Sequence, residues 1–330
     1  MKRFKLGFGP MSTEIVDILC TYTQEKDYPL MIIASRNQVD ADTGYVTTSA
    51  NLAEQVNHYD RKNILLCRDH CGPYFADLDK GIDLEAALLR CESTIAADIA
   101  SGFDLIHIDV SRIPGNQLVH AKRLIEFTLN LEPKMKLEFG TEDNTGDDVD
   151  GSIDRLAEQL EFLSAYKDNV IFVVSQTGSL TKDGQMGKFT IASNKKVAKQ
   201  IHNAGFLFKE HNADYFTEKD IEQRVTAGID AINIAPQLGK IQTDLLTEFA
   251  GDTPEYATFA NYVYSQPYWP RWMSNGSTDK DTAVSVSGHY CFASKEYNDA
   301  MGSVNRADFN AALKDKIYTL LDMYRTFDKE

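Results

Sequence analysis

The chain has 330 residues, 43% of them hydrophobic and 10% aromatic, enough to bury one sizeable core and too apolar for a disordered segment. A formal net charge of −15 argues against nucleic acid or an anionic membrane as partner, because the overall field repels phosphates. It leaves room for a small sugar phosphate held in a locally positive pocket. The N-terminus, Met1-Lys2-Arg3-Phe4-Lys5-Leu6-Gly7, has no apolar core ahead of a cleavage site, and no run approaches the ~18 apolar residues of a membrane span. Five cysteines (Cys20, Cys67, Cys71, Cys91, Cys291) form no CxxC pair, so the expectation is a cytoplasmic protein with reduced thiols.

Short apolar, β-branched runs alternate with amphipathic segments along the chain. Strands are predicted over 6–8, 30–34, 63–67, 105–109, 136–139, 170–174, 206–209 and 231–234. Helical period appears between them, as in Leu84-Ala87-Leu88-Cys91 and Ile153-Leu156-Leu160-Leu163. Continuous apolar strands separated by such helices indicate a parallel sheet covered on both faces. Eight of them suit a closed α/β barrel, a (β/α)8 TIM barrel, with an open doubly wound sheet as the alternative. Gly102, Gly205 and Gly228 follow helices and precede strands, the usual C-terminal stop. After about residue 250 the alternation breaks, and 262–272 is dense in aromatics and proline. A helix over about 306–327 closes the chain. The expected organisation is a single domain, barrel over about 1–250 and an aromatic-rich, helical C-terminal extension over about 251–330.

In a parallel barrel the chemistry sits at the C-terminal strand ends. The second strand supplies Asn37 and Gln38, and the third runs into Asp69-His70-Cys71-Gly72-Pro73. The fourth ends in His107-Ile108-Asp109, the fifth in Gly140-Thr141-Glu142, the sixth in Ser175-Gln176-Thr177-Gly178, and the seventh in Glu210-His211-Asn212. Two histidines at equivalent strand ends, with Glu142 and Asp69 nearby, form an N,O donor set suited to a divalent metal, Zn²⁺ first. His107 is read as a packed core residue. His58, His120 and His202 fall on helices and are read as structural.

At Asp69-His70-Cys71-Gly72-Pro73 the chain resembles the DHxGP motif of class II ketose-bisphosphate aldolases. More closely, it is similar to the non-catalytic subunit group of tagatose-1,6-bisphosphate aldolase. The similar stretches include Ser35-Arg36-Asn37-Gln38-Val39, Gly102-Phe103-Asp104-Leu105-Ile106-His107-Ile108-Asp109, Glu210-His211-Asn212-Ala213-Asp214-Tyr215, Pro267-Tyr268-Trp269 and Ser287-Gly288-His289-Tyr290. The resemblance implies Asp69 as acid/base and His70 as a metal ligand. Two departures stand out. The family's ligand histidine after the sixth strand is absent from Ser175-Gln176-Thr177-Gly178. The phosphate loops are replaced by Asn212-Ala213-Asp214-Tyr215 and Asn233-Ile234-Ala235-Pro236-Gln237.

The expected function is a metal-dependent aldolase-type lyase acting on a ketose phosphate or related sugar. A C4 epimerase working by retro-aldol chemistry, and a catalytically silent subunit stabilising a partner aldolase, are the alternatives. Asp69 and Glu142 are the catalytic candidates; His70, His211 and Glu142 are the metal ligands. Asn37, Gln38, Asp109, Gln176, Asn233, Arg271 and His289 are expected to contact substrate, with Arg271 or Lys295 meeting its anionic group. The expected partners are the sugar, and either an aldolase subunit or further copies of this chain.

Overall fold

The computed structural model describes residues 3–140, 153–175, 177, 189–274 and 276–328. Eight parallel strands close a barrel: β1 (Leu6–Phe8), β2 (Leu30–Ser35), β5 (Ile64–Cys71), β6 (Leu105–Asp109), β7 (Lys136–Gly140), β8 (Val170–Val174), β9 (Leu207–Glu210) and β10 (Ala231–Ile234). The open-sheet alternative is thereby excluded. A small parallel pair not foreseen from the sequence, β3 (Val39–Asp40) and β4 (Thr47–Thr48), sits in the loop after β2. Each is only two residues long, too short to carry a periodic signal.

The helices α1 (Thr13–Glu25), α2 (Ser49–Asn57), α3 (Leu84–Ser101), α4 (Gln117–Leu131), α5 (Ile153–Leu163), α6 (Ile191–Ala204), α7 (Glu218–Ala227) and α8 (Pro236–Ala250) are distributed along the barrel strands. Gly102, Gly205 and Gly228 end α3, α6 and α7 in the left-handed conformation, φ 85°, 90° and 87°. Beyond the barrel come α9 (Pro254–Ser265), α10 (Lys280–Ser287), α11 (Lys295–Gly302) and α12 (Arg306–Tyr324). They pack on α8 and α1, and α12 is pinned by Tyr22 Oη donating to Asp322 (2.7 Å). Among the described residues no helix is long and apolar enough to cross a membrane.

Side-chain parity divides each strand. Leu66, Ile106, Leu137, Phe139, Val173, Phe208 and Ile232 pack into the main apolar cluster with the helices. Met31, Ile33, Cys67, Leu105, Phe172 and Ala231 form a separate cluster inside the barrel. Following inward parity toward the C-terminal ends gives Asp69 after Cys67, His107 and Asp109 after Leu105, and Asn233 after Ala231. Glu138 on β7, Lys209 on β9 and His211 just beyond β9 join them. Parallel pairing sets His107 beside Glu138 and Ser35 beside Asp69, so the polar side chains meet in one layer above the apolar plug.

One buried ion pair ties this frame to the outer helices. Arg68 on β5 is fully buried and donates to Asp98 of α3 through Nε (2.6 Å) and Nη2 (2.7 Å), with a further bond to the Ala34 carbonyl (2.8 Å). Truncating one member leaves the other charge uncompensated, which costs about 3–5 kcal/mol. Asp98→Ala is therefore expected to lose about that much unfolding free energy in chemical denaturation. Leu89→Ala, at an exposed position of the same helix, should stay within ~0.5 kcal/mol. A loss below about 1 kcal/mol in Asp98→Ala would show that the pair does not tie α3 to the barrel.

Candidate active site

The C-terminal mouth is built around a deformation of β5. Pairing between β5 and β6 shifts register between Arg68 and Cys71, and His70 adopts a positive φ of 45°. Strict alternation would turn His70 away from its neighbour; the bulge lets Asp69 and His70 reach one site. The next turn requires glycine, since a Cβ on Gly72 would lie 1.4 Å from the Asp109 carbonyl oxygen.

Carboxylates set the orientation of both ring systems. His70 Nδ1 lies 2.6 Å from Asp109 Oδ2, and His211 Nε2 lies 2.6 Å from Glu138 Oε1. An ionised carboxylate only accepts, so each of these ring nitrogens carries the proton. The Asn233 amide nitrogen is 3.2 Å from the same His211 Nε2 and 3.4 Å from Asp69 Oδ1. The shorter, charge-assisted bond to Glu138 decides the tautomer. The remaining nitrogens, His70 Nε2 and His211 Nδ1, then face each other at 3.1 Å. Two lone pairs cannot rest there unscreened: a proton or a cation must lie between them.

The surrounding charges favour positive charge in that gap. Burial opposes an imidazolium at His70, but Asp69 and Asp109 outweigh it and lift its pKa from 6.5 to about 9. His211 moves the other way, through burial and the proximity of His70. Burial would raise Asp69, yet His70, His211 and His107 hold it well below the usual carboxylate range; Lys209, His107 and His211 do the same for Glu138. Lys209 Nζ sits 2.6 Å from Glu138 Oε2, fully buried. Among the described residues, the carboxylates of Asp69, Asp109 and Glu138 against one Lys209 ammonium leave two negative charges.

His107 is a correction to the sequence reading. It is buried, but it stands among the polar groups: its ring centroid is 5.1 Å from that of His70 and 5.0 Å from that of His211. Its Nδ1 accepts from the His70 backbone N–H (3.2 Å), which braces the bulge. Donor atoms of Asp69, His70, His107 and His211 lie within 4.8 Å of one another. Glu138 and Lys209 were missed by sequence reasoning as well. Their signal was a charge at an inward position of an apolar strand.

A cavity of about 170 Å³ opens over this cluster, lined by Asn37, Gln38, Asp69, His70, His211 and Asn233 among others. Its outer wall comes from the extension, through Trp272, His289 and Tyr290. Asp109, expected against substrate, sits behind His70 instead, held by its bond to Nδ1. Arg271 lies outside the lining: it pairs with Asp77 (3.5 Å) and rests over Tyr290, 5.3 Å from the ring centroid. Lys295 pairs with Asp299 on its own helix. Glu142 and Gln176 lie outside the described residues.

The closed barrel with this polar mouth is a (β/α)8 protein with its candidate site at the C-terminal strand ends. Residues 11–123, which include Asp69, His70 and His107, match the family described as D-tagatose-1,6-bisphosphate aldolase subunit GatZ/KbaZ-like. That match covers about a third of the chain and agrees with the resemblance read from the sequence. Among solved structures it is similar to a probable tagatose 6 phosphate kinase from Sinorhizobium meliloti 1021 (TM-score 0.78, 17% identity, 98% of this chain and 100% of that one). It is also similar to fructose-bisphosphate aldolase from Campylobacter jejuni (TM-score 0.61, 13% identity, 100% and 92%). The YdjI aldolase from Escherichia coli K12 is a third (TM-score 0.52, 14% identity, 93% and 94%). At these identities the likeness concerns the fold.

The carboxylates flanking His70 give a measurable signature in metal-free protein. Its imidazole should titrate near pH 9 by NMR, and Asp109→Asn should bring that value down. Because the folded pKa lies above the unfolded 6.5, the associated stability is fully present below about pH 6.5 and is lost as pH rises through 9. A His70 titration at or below 6.5 would contradict this electrostatic picture.

Proposed function

We propose that this chain is a metal-dependent enzyme that breaks and forms a carbon–carbon bond of a ketose by retro-aldol chemistry. The observation that carries the reading is the pair of opposed ring nitrogens, His70 Nε2 and His211 Nδ1, each oriented by a carboxylate behind it. Their 3.1 Å spacing is close to the ~3.3 Å separating two nitrogens bound tetrahedrally to one ion at ~2.0–2.1 Å. The residues therefore fit a divalent cation, and imidazole with carboxylate favours Zn²⁺. His70 and His211 would hold it, with His107 and Asp69 in the same cluster. When bound, such a cation supplies Lewis-acid stabilisation of the negative charge developing on the ketose carbonyl oxygen.

Asp69 is the proton acceptor on this reading. It lines the cavity, and the neighbouring imidazoles keep it ionised. It takes the hydroxyl proton from the carbon β to the carbonyl; the O–H electrons form the new C=O, and the C3–C4 pair moves onto C3. If the aldehyde turns over and C3 attacks its opposite face, the C3–C4 bond re-forms and the proton returns to the C4 oxygen, giving the C4 epimer; if the aldehyde leaves, transfer of the proton held on Asp69 to C3 completes a lyase reaction. Asn37, Gln38 and Asn233 offer amides to the sugar hydroxyls. Glu142 is kept as a further acid/base or ligand. The ligand pair and proton acceptor favour an enzyme over a silent subunit, because a merely stabilising barrel has no need of opposed, carboxylate-oriented imidazoles.

The test is turnover of ketoses by zinc-loaded protein, followed by ¹³C NMR so that fragments mark a lyase and a C4 epimer marks an epimerase. Asp69→Asn should lower the rate by ~10²–10⁴ with metal content and fold retained. Absence of turnover together with absence of stoichiometric metal would return the chain to the silent-subunit reading. Zinc addition at pH 7.5 should also release close to one proton, because His70 must give up its own to bind. Calorimetry in buffers of different ionisation enthalpy reads this directly, and buffer-independent heats would contradict His70 as a ligand.

A further inference from the structure

We infer that the substrate is an unphosphorylated ketose: the corner that could take a sugar phosphate is closed by Asp214, and the wall at His289 is built for neutral hydroxyls. The inference deepens the proposed function and relies on it for where the reacting carbon lies.

Barrels of this type commonly hold phosphate on the loops after the seventh and eighth strands and on the helix N-terminus that follows. The usefulness of that corner depends on backbone N–H groups left free. After β9, the amide of Ala213 donates to the Asn233 carbonyl (2.9 Å), Tyr215 to Gln237 Oε1 (2.7 Å), Phe216 to Tyr324 Oη (3.2 Å) and Thr217 to Asp220 (2.8 Å). After β10, Ala235 and Gln237 both donate to Asp214 Oδ1 (3.1 and 2.8 Å), Leu238 donates to the Ala235 carbonyl (3.1 Å), and Pro236 has no N–H. The start of α8 is thus already occupied by a carboxylate. Asp214 is 2% exposed and lines the cavity, and burial pushes its pKa up to about 7, so an incoming phosphate would meet a partly ionised carboxyl group in its place and find none of these backbone donors free. Among the described residues lining the cavity there is no lysine or arginine, and Arg271 is engaged with Asp77 and two tyrosine rings.

The wall formed by the C-terminal extension has a different character. His289 is buried, lines the cavity, and neither ring nitrogen has a partner. Burial, with the charge of Arg271 adding to it, keeps the ring neutral. A neutral imidazole offers one donor and one acceptor, which is what a sugar hydroxyl or a vicinal pair needs. Tyr290, Tyr45 and Trp272 surround it, with ring centroids 4.2, 5.9 and 6.4 Å away. Leaving two buried nitrogens unpaired is costly unless a ligand satisfies them. The backbone beside it is adapted to this placement, since a Cβ on Gly239 of α8 would lie 2.5 Å from His289 Cβ.

The experiment is calorimetric titration of the zinc-loaded full-length chain with D-tagatose, D-fructose, their 6-phosphates and 1,6-bisphosphates, and inorganic phosphate. A free ketose should bind at least tenfold more tightly than its esters, and inorganic phosphate should give no heat. His289→Ala should weaken the free ketose at least tenfold, and His289→Gln, which keeps a donor and an acceptor, should recover most of it. Thermal melting of both variants checks that the wall remains folded. Tighter binding of any ester, unchanged affinity in His289→Ala, or no binding of either free ketose would overturn the inference. The two claims separate cleanly. Free ketose bound without turnover would sink the retro-aldol reading and leave the substrate class standing; turnover confined to esters would do the reverse.

Discussion

Two imidazole nitrogens held 3.1 Å apart, each with its other nitrogen bonded to a carboxylate, are the constraint around which the mouth of this barrel is organised. Neither ring is free to turn: rotating His70 would give up a charge-assisted bond to Asp109, and rotating His211 one to Glu138. The residues that orient the pair are themselves fixed. Glu138 is locked by buried Lys209, and Asp109 accepts from the Ser111 amide (3.0 Å). Positive charge in the gap relieves the lone-pair conflict and offsets the surrounding carboxylates, so geometry and electrostatics ask for the same occupant.

The bulge in β5 makes that pair possible. A regular strand would send Asp69 into the mouth and His70 toward the helices. The left-handed turn at His70 brings both to one side, and His107 steadies the distortion by accepting the freed amide. Strain of this kind persists where the surroundings over-determine it. Here they include the close approach of Gly72 to the Asp109 backbone and the ring of Phe75 stacked 4.9 Å from that of His70. The C-terminal extension completes the cavity from the other side, so the aromatics of 262–290 are partly a wall of the site.

Much of this was legible in the sequence, for definite reasons. The barrel strands are short, largely apolar runs, and four of the predicted ranges coincide with the observed ones. His70 and His211 could be singled out because strand-end position is itself informative in a parallel barrel. His107 could not be told from a core histidine: its inward parity was visible, but the layer at which polar side chains replace apolar ones depends on strand register, which one sequence does not print. The same holds for Glu138 and Lys209, whose meaning comes from each other. Asp109 was assigned to substrate, whereas its partner is His70. Arg271 looked like an anion clamp from composition alone; its pairing with Asp77, nearly two hundred residues earlier, is a tertiary fact.

The central claim concerns what lies between His70 and His211, and X-ray absorption at the zinc edge of the loaded protein tests it most directly. The expected spectrum has at least two imidazole nitrogens at ~2.0–2.1 Å, with one imidazole contribution lost in His70→Ala and one in His211→Ala. A first shell of oxygen alone, or a spectrum unchanged by both substitutions, would contradict it.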